Sequence, residues 1–265
     1  NGDGAITVAS TTYWNLTLSP TLSASRIYTA ATGALIANNN LTVSPSSSSA
    51  FSLKFNLGAT TTIFATTTIQ PVTAATSSID TTSANDYALN LGTLDLRSSS
   101  SLITNDSAVN ASGSIIVASN AVLHGTTGNF TMKANYTNSG TFTHNSGVVI
   151  LDGTSQQTAT GTMTGASAFN VLTVTNNSGS DPDTSPSVIF GNSVTAVTST
   201  ITTASVKVRF KETATSTFTN INWNGAAVGT RIQFRSASSG TPWNLVVTGS
   251  QLDVSYVNPA DSYAC

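Results

Sequence analysis

Apolar residues in this chain alternate only briefly before a turn-forming cluster interrupts them, and that rhythm limits the folds open to it. YWNLTLSP (13–20), NNNLTVSP (38–45), FNVLTVTN (169–176) and WNLVVTGS (243–250) share one pattern: Asn, two aliphatic residues two apart, then a polar turn. Alternation with period two places Leu16 with Leu18, Leu41 with Val43, Leu172 with Val174 and Leu245 with Val247 on one face of each strand. Turn clusters recur about every 6 to 12 residues, a spacing that suits strands.

Composition points the same way. Ser (39) and Thr (46) together make 85 of 265 residues, while charged residues make up 8%, against about a quarter in ordinary soluble domains. Hydroxyls thus replace charges as the solvating groups, and β-branched Thr favours a pleated surface. Glu212 is the single Glu, and Lys, Arg and Gln are sparse, so long helices are not expected. A net charge of -2 gives no basic surface for nucleic acid, and no apolar run approaches the roughly 18 residues of a membrane-spanning helix. The chain opens on NGDGAITV, without an initiator Met or a signal peptide, and is read as mature or trimmed. NGDGAI lacks the leading ligands and closing Glu of a calcium loop. Cys265 is the sole Cys, so an internal disulfide is excluded.

Short alternating strands fit a sandwich and a solenoid alike. The strands are short for a sandwich, whose typical strand is about 5 to 6 residues. Asn, Ser, Thr and Gly recur where stacked coils turn corners, and repeated Val, Ile and Leu would stack along an axis. The expected fold is all-β, a right-handed parallel β-helix, with a β-sandwich for part of the chain as the alternative. Coils are expected over 1–180 and, as a continuation or a second β subdomain, over 181–265, with a soft boundary at SGSDPDTSPS (178–187).

The segment GTFTHNSGVVILDGTSQQTATGTMTGASAFNVLTVTNNSG and the tail TPWNLVVTGSQLDVSYVNPADSYAC resemble recurring coils of bacterial secreted right-handed β-helix surface proteins, adhesin-like or autotransporter-passenger-like in style. The resemblance implies extracellular display and a structural or adhesive task. It carries no standard catalytic residues and no cofactor. Neither end shows an amphipathic capping helix, so further coils or copies of the chain are the expected partners, with surface glycans as an alternative.

Individual sites are thinly signalled. In SVKVRFKE and TRIQFRS, Val206, Val208, Phe210, Ile232 and Phe234 are predicted inward, and Lys207, Arg209, Lys211, Arg231 and Arg235 outward. Those five cations offer a contact for an anionic glycan or a neighbouring subunit; the plainer reading is a solvated strand face that discourages edge pairing. Trp14 and Trp243 are predicted to pack inward, leaving Trp223, beside a turn in NINWNG, as the exposed candidate for stacking on a sugar. Asp181 and Asp183 could contribute to a calcium site, but an Asp-x-Asp pair supplies few of the six to eight oxygens required and also makes an ordinary turn. His124, His144 and Asp152 could sit on adjacent coils, yet they fall short of a zinc set. Asp152, Asp253 and Asp261 are the carboxylates left for paired acid–base chemistry, and an enzyme is not expected. Of seven Asn-x-Ser/Thr triplets (Asn15, Asn40, Asn105, Asn110, Asn129, Asn135 and Asn176), many arise by chance in so Thr-rich a chain.

Overall fold

The structure, a computed structural model, describes residues 6–82 and 84–264. It is an all-β parallel β-solenoid with about 11 turns, and its strands fall into two compact units. One comprises residues up to 130 together with 139–145, the other 131–138 together with 146 onward. Every described strand pairing is parallel, and the one antiparallel bridge, Asp181 with Ser185, closes a loop. A sandwich would require antiparallel sheets, so that alternative does not apply to either unit.

In the first unit one sheet joins seven strands, Ile6–Val8, Arg26–Ala30, Ser52–Asn56, Thr76–Asp80, Ser100–Ile103, Val122–His124 and Thr141–Thr143. Each pairs with the equivalent strand of the next coil. The step varies from 28 residues (Thr61 to Leu89) to 19 (Val122 to Thr141), because corners absorb insertions while the strands keep register. Inward positions therefore stack like on like. Leu18, Val43, Ile69, Leu96 and Val117 form one column, and Phe55, Ile79, Leu102, Leu123 and Phe142 another. All ten are buried. Each contributes about 1.5 to 3 kcal/mol of apolar burial, and each side chain is covered by its neighbours above and below, which is why no single coil is stable alone.

Corners are built from side chains that hydrogen-bond the backbone and one another. Thr81 Oγ1 donates to Thr104 O (2.8 Å), Thr104 Oγ1 donates to His124 O (2.9 Å), and Asn105 Nδ2 donates to Asp80 Oδ1 (2.7 Å). Asn105, Asn120 and Asn145 take left-handed angles (φ 47°, 61° and 46°), which Asn tolerates better than most residues. Gly92 answers a different demand: a Cβ there would lie 1.9 Å from Ala65 O.

The second unit stacks Tyr136–Asn138, Gln157–Gly161, Val188–Phe190, Lys207–Phe210, Ile232–Ser236 and Val257–Pro259 along one face. Along another run Val148–Leu151, Phe169–Val174, Thr195–Ile201 and Thr215–Asn224, the last pairing with both Trp243–Val247 and Gln251–Ser255. The long 31-residue step from Gln157 to Val188 accommodates SGSDPDTSPS as a loop within this unit. Gln157 ties its base. Its Oε1 accepts from Gly153 N (2.7 Å) and Asn176 Nδ2 (3.0 Å), while its Nε2 donates to Met132 O and Ala134 O (both 2.9 Å). Asn176, also bonded to Ser155 O and Ser187 O, is buried; of the seven triplets, this one is closed to glycosylation in the folded chain.

Later coils of this unit have aromatic interiors. Phe190 stacks on Phe210 (centroids 5.4 Å, 16°) and Phe210 on Trp243 (4.2 Å, 21°), while Trp223 meets Phe234 at 4.6 Å. Planar rings stack along a solenoid axis as readily as aliphatic side chains, because parallel register places them in offset contact.

Candidate functional site

Two places in the second unit concentrate unusual groups: the cationic strands 207–211 and 231–236, and the interior beneath strands 243–264. On the cationic strands the predicted inward set is found, with Val206, Val208, Phe210, Ile232 and Phe234 all buried. Four of the five cations, Lys207, Arg209, Lys211 and Arg235, bond to the protein itself. Lys207 Nζ donates to Gly179 O (2.8 Å) and Ser205 O (3.0 Å), both on the loop side of its strand. Arg209 Nη2 donates to Ala237 O, and Arg235 Nη1 donates to Phe234 O and Asn258 O (both 2.8 Å). Arg235 Nε lies 3.6 Å from Asp183 Oδ1. Lys211 pairs with its neighbour Glu212, whose carboxyl is held below its ordinary value by the adjacent ammonium. Arg231 is exposed.

These bonds explain how Arg209 and Arg235 sit directly opposite each other in register. Like charges in that position are destabilising, and carbonyl acceptors together with Asp183 offset the repulsion. Asp181 and Asp183 are therefore parts of a folded loop. Asp181 Oδ1 accepts from Thr184 N (2.8 Å), Asp183 N (2.8 Å) and Thr184 Oγ1 (3.0 Å), and these donors hold its carboxyl below the usual range. That oxygen is committed to the turn.

The tryptophans exchange their predicted places. Trp223 is buried and its Nε1 donates to Ser199 Oγ (3.0 Å). The strand Thr215–Asn224 shifts its inward parity between Phe218 and Ile221, and Trp223 shares the inward face of Ile221. Trp14, expected inside, is 70% exposed. The chain bends between Tyr13 and Leu16, and Asn15 ties that corner to the next coil by accepting from Asn39 Nδ2 (3.0 Å) and Asn40 N (3.2 Å). Trp243 is buried as expected.

Strands 243–247, 251–255, 257–259 and 262–264 enclose an apolar cavity of about 340 Å³ lined by Trp223, Phe234, Trp243, Val247, Val254 and Val257, among others. Trp243 Nε1 is buried there without an acceptor among the described residues, an arrangement that costs about 1 to 3 kcal/mol. On the same strands and the residues joining them, Leu252, Val254, Tyr256 and Tyr263 are exposed. The cavity was not foreseen; the only signal for it in the sequence is the inward aromatic set itself.

The remaining candidates do not converge. Asp152 accepts from Thr175 Oγ1 (2.8 Å), Asp253 accepts from Asn224 Nδ2 (2.7 Å), and Asp261 lends its carbonyl to Trp243 N (3.0 Å). His124 faces Thr143 in register, and burial lowers the pKa of its imidazole. Among the described residues no three His, Cys, Asp or Glu side chains cluster as a metal site would require. No helix of the described residues is long and apolar enough to cross a membrane. Residues 1–5 and Cys265 lie outside the described residues. In comparisons with known proteins, the chain matches no protein family, no curated protein and no solved structure.

Proposed function

We propose that the chain is a structural β-solenoid segment, displayed outside the cell, which builds a stalk or filament by taking a further coil, of a longer chain or of a second copy, onto strands 243–264. The observation that carries this reading is the apolar cavity beneath strands 243–264, with the unpaired Trp243 N–H inside it. Ordinary interiors are closed by the next coil, as the columns of the first unit are. Here Gln251–Ser255, Val257–Pro259 and Ser262–Ala264 each have a strand neighbour on one side only among the described residues. A parallel strand added to that edge supplies hydrogen-bond partners, covers Val254 and Val257, and brings backbone carbonyls within reach of Trp243.

The low charge content assists such stacking, since few like charges would meet across the joint. Extracellular placement is supported by the likeness of the coils to secreted β-helix surface proteins and by hydroxyl-rich faces. The task is one of building and holding, with no catalytic role.

Sedimentation velocity tests the reading. The wild-type chain should show species that grow with concentration, while Val254→Lys with Val257→Lys should stay monomeric with an unchanged β-sheet spectrum. A wild-type chain that remains monomeric at every concentration contradicts it.

A further inference from the structure

Of the thirteen Phe and Trp side chains (10 Phe plus 3 Trp), two are exposed, Trp14 at 70% and Phe64 at 64%. Both fall on the same corner of the first unit. Tyr13 pairs with Ala37 and Ala37 with Ile63, so the residues that follow, Trp14, Asn38 and Phe64, come from three successive coils. The backbone confirms the stack: Asn39 N donates to Trp14 O (2.8 Å), and Ala65 N donates to Asn39 O (3.0 Å). Two ladder steps separate the aromatic residues along the axis, about 9.5 Å. Burying either ring in the core would have been the cheaper arrangement, and every other Phe and Trp avoids full exposure.

What lies between and around them decides the chemistry. Asn38 is exposed between the two rings, and Asn15 and Asn40 flank it. Asn15 Oδ1 and Asn40 Oδ1 are occupied by the corner ladder, the latter accepting from Thr66 N (3.1 Å). These bonds hold the flanking amides in place on the corner. On the far side of Phe64 the next coil places Gly92, between Leu91, which pairs with Ile63, and Thr93, which pairs with Thr66. Residues 11–17, 35–42 and 61–68 contain no charged side chain.

We infer that this corner is a binding platform for a neutral, linear polysaccharide. Ring C–H groups of a sugar carry partial positive charge and meet the negative face of an aromatic ring. Hydroxyl groups between two stacked sugars would accept from, or donate to, the intervening amides. An alternation of aromatic, amide and aromatic along one line suits a repeating polymer whose sugar faces recur at a fixed interval. A protein partner would call for a contiguous apolar centre with a polar rim, and nucleic acid would call for cations; neither is present on this corner. The platform lies in the first unit and does not depend on assembly through the cavity of the second.

The test is retention of the full chain on a panel of insoluble and soluble neutral polysaccharides (β-glucans, chitin and mannans) with anionic polysaccharides and anionic vesicles alongside, read also by the fluorescence of exposed Trp14. The wild type should bind at least one neutral polymer. Trp14→Ala and Phe64→Ala should each weaken that binding about tenfold, and the pair should abolish it, with the thermal midpoint of each variant preserved. Retention of Trp14→Phe at intermediate strength separates ring stacking from any role of the indole N–H. Failure of the wild type to bind any neutral polymer, equal binding of the double variant, or preference for the anionic polymers or vesicles would each overturn the inference.

Discussion

The first unit and the later coils of the second solve the same packing problem with different side chains. In the first, the column Leu18, Val43, Ile69, Leu96 and Val117 is aliphatic, each member 0–7% exposed, and every coil between the ends is covered on both sides. In the second, Phe190, Phe210, Phe234, Trp223 and Trp243 fill a wider interior that opens into the cavity under strands 243–264. Aliphatic columns place one side chain at each ladder step, covered by the coils above and below. Aromatic rings span more space laterally, and under strands 243–264 they line an apolar cavity where Trp243 Nε1 has no acceptor among the described residues.

The contrast breaks most visibly at single buried positions. Ile69→Ala, within a covered column, should lower stability by about 2 to 5 kcal/mol, whereas Val247→Ala, at the cavity wall and only half-buried, should cost less than about 1 kcal/mol. Urea unfolding of both variants checks the difference; equal losses would mean that the cavity is filled in solution. Gln157→Leu belongs with the large effects, at about 3 kcal/mol, because it strips partners from Gly153 N and Asn176 inside the protein.

A smaller effect separates the tied cations from the loose one. Arg235→Ser removes donors from the carbonyls of Phe234 and Asn258 and should cost about 1 to 2 kcal/mol. Arg231→Ser, at an exposed position, should stay within about 0.5 kcal/mol. Thermal melts of the two variants side by side suffice, and matching midpoints would remove the proposed loop anchoring.

The smallest effect is a pH dependence located in the first unit. Burial pushes the Asp80 carboxyl up, but the Lys54 ammonium, the Thr82 backbone N–H and the Asn105 amide together bring it below its ordinary value. Because the folded value is depressed, this contribution is fully present above the unfolded pKa of about 4. It fades as pH falls through the folded value. Asp80→Asn should therefore flatten the acid limb of the stability curve below about pH 4 while leaving its shape near neutrality unchanged. An identical acid limb in wild type and variant would show that Asp80 is not coupled to folding.

Much of this architecture was legible in the chain because period-two alternation is local. Leu16 and Leu18, Leu41 and Val43, Leu172 and Val174, and the set Val206, Val208 and Phe210 all face inward as their spacing requires. Phe142, Val149 and Leu151 do the same within TNSGTFTHNSGVVILDGT. Parity fails wherever a corner intervenes. Trp14 counts with Leu16 and Leu18 in the sequence, yet the bend ahead of Leu16 turns it outward; Trp223 stands next to a turn, yet its strand continues to Asn224 and keeps it on the inward face of Ile221. The fate of the cations was hidden for another reason. Lys207 meets Gly179, and Arg235 meets Asp183, only because a loop inserted far upstream returns over them. Such long-range pairings leave no periodic trace.

The central claim, that strands 243–264 present an apolar edge on which a further coil packs, is tested most directly by negative-stain electron microscopy of the purified chain over a concentration series. Growth along one axis at constant width is the expected result, with Val254→Lys plus Val257→Lys leaving only the shortest particles. Particles of one length at every concentration, in wild type and variant alike, would contradict it.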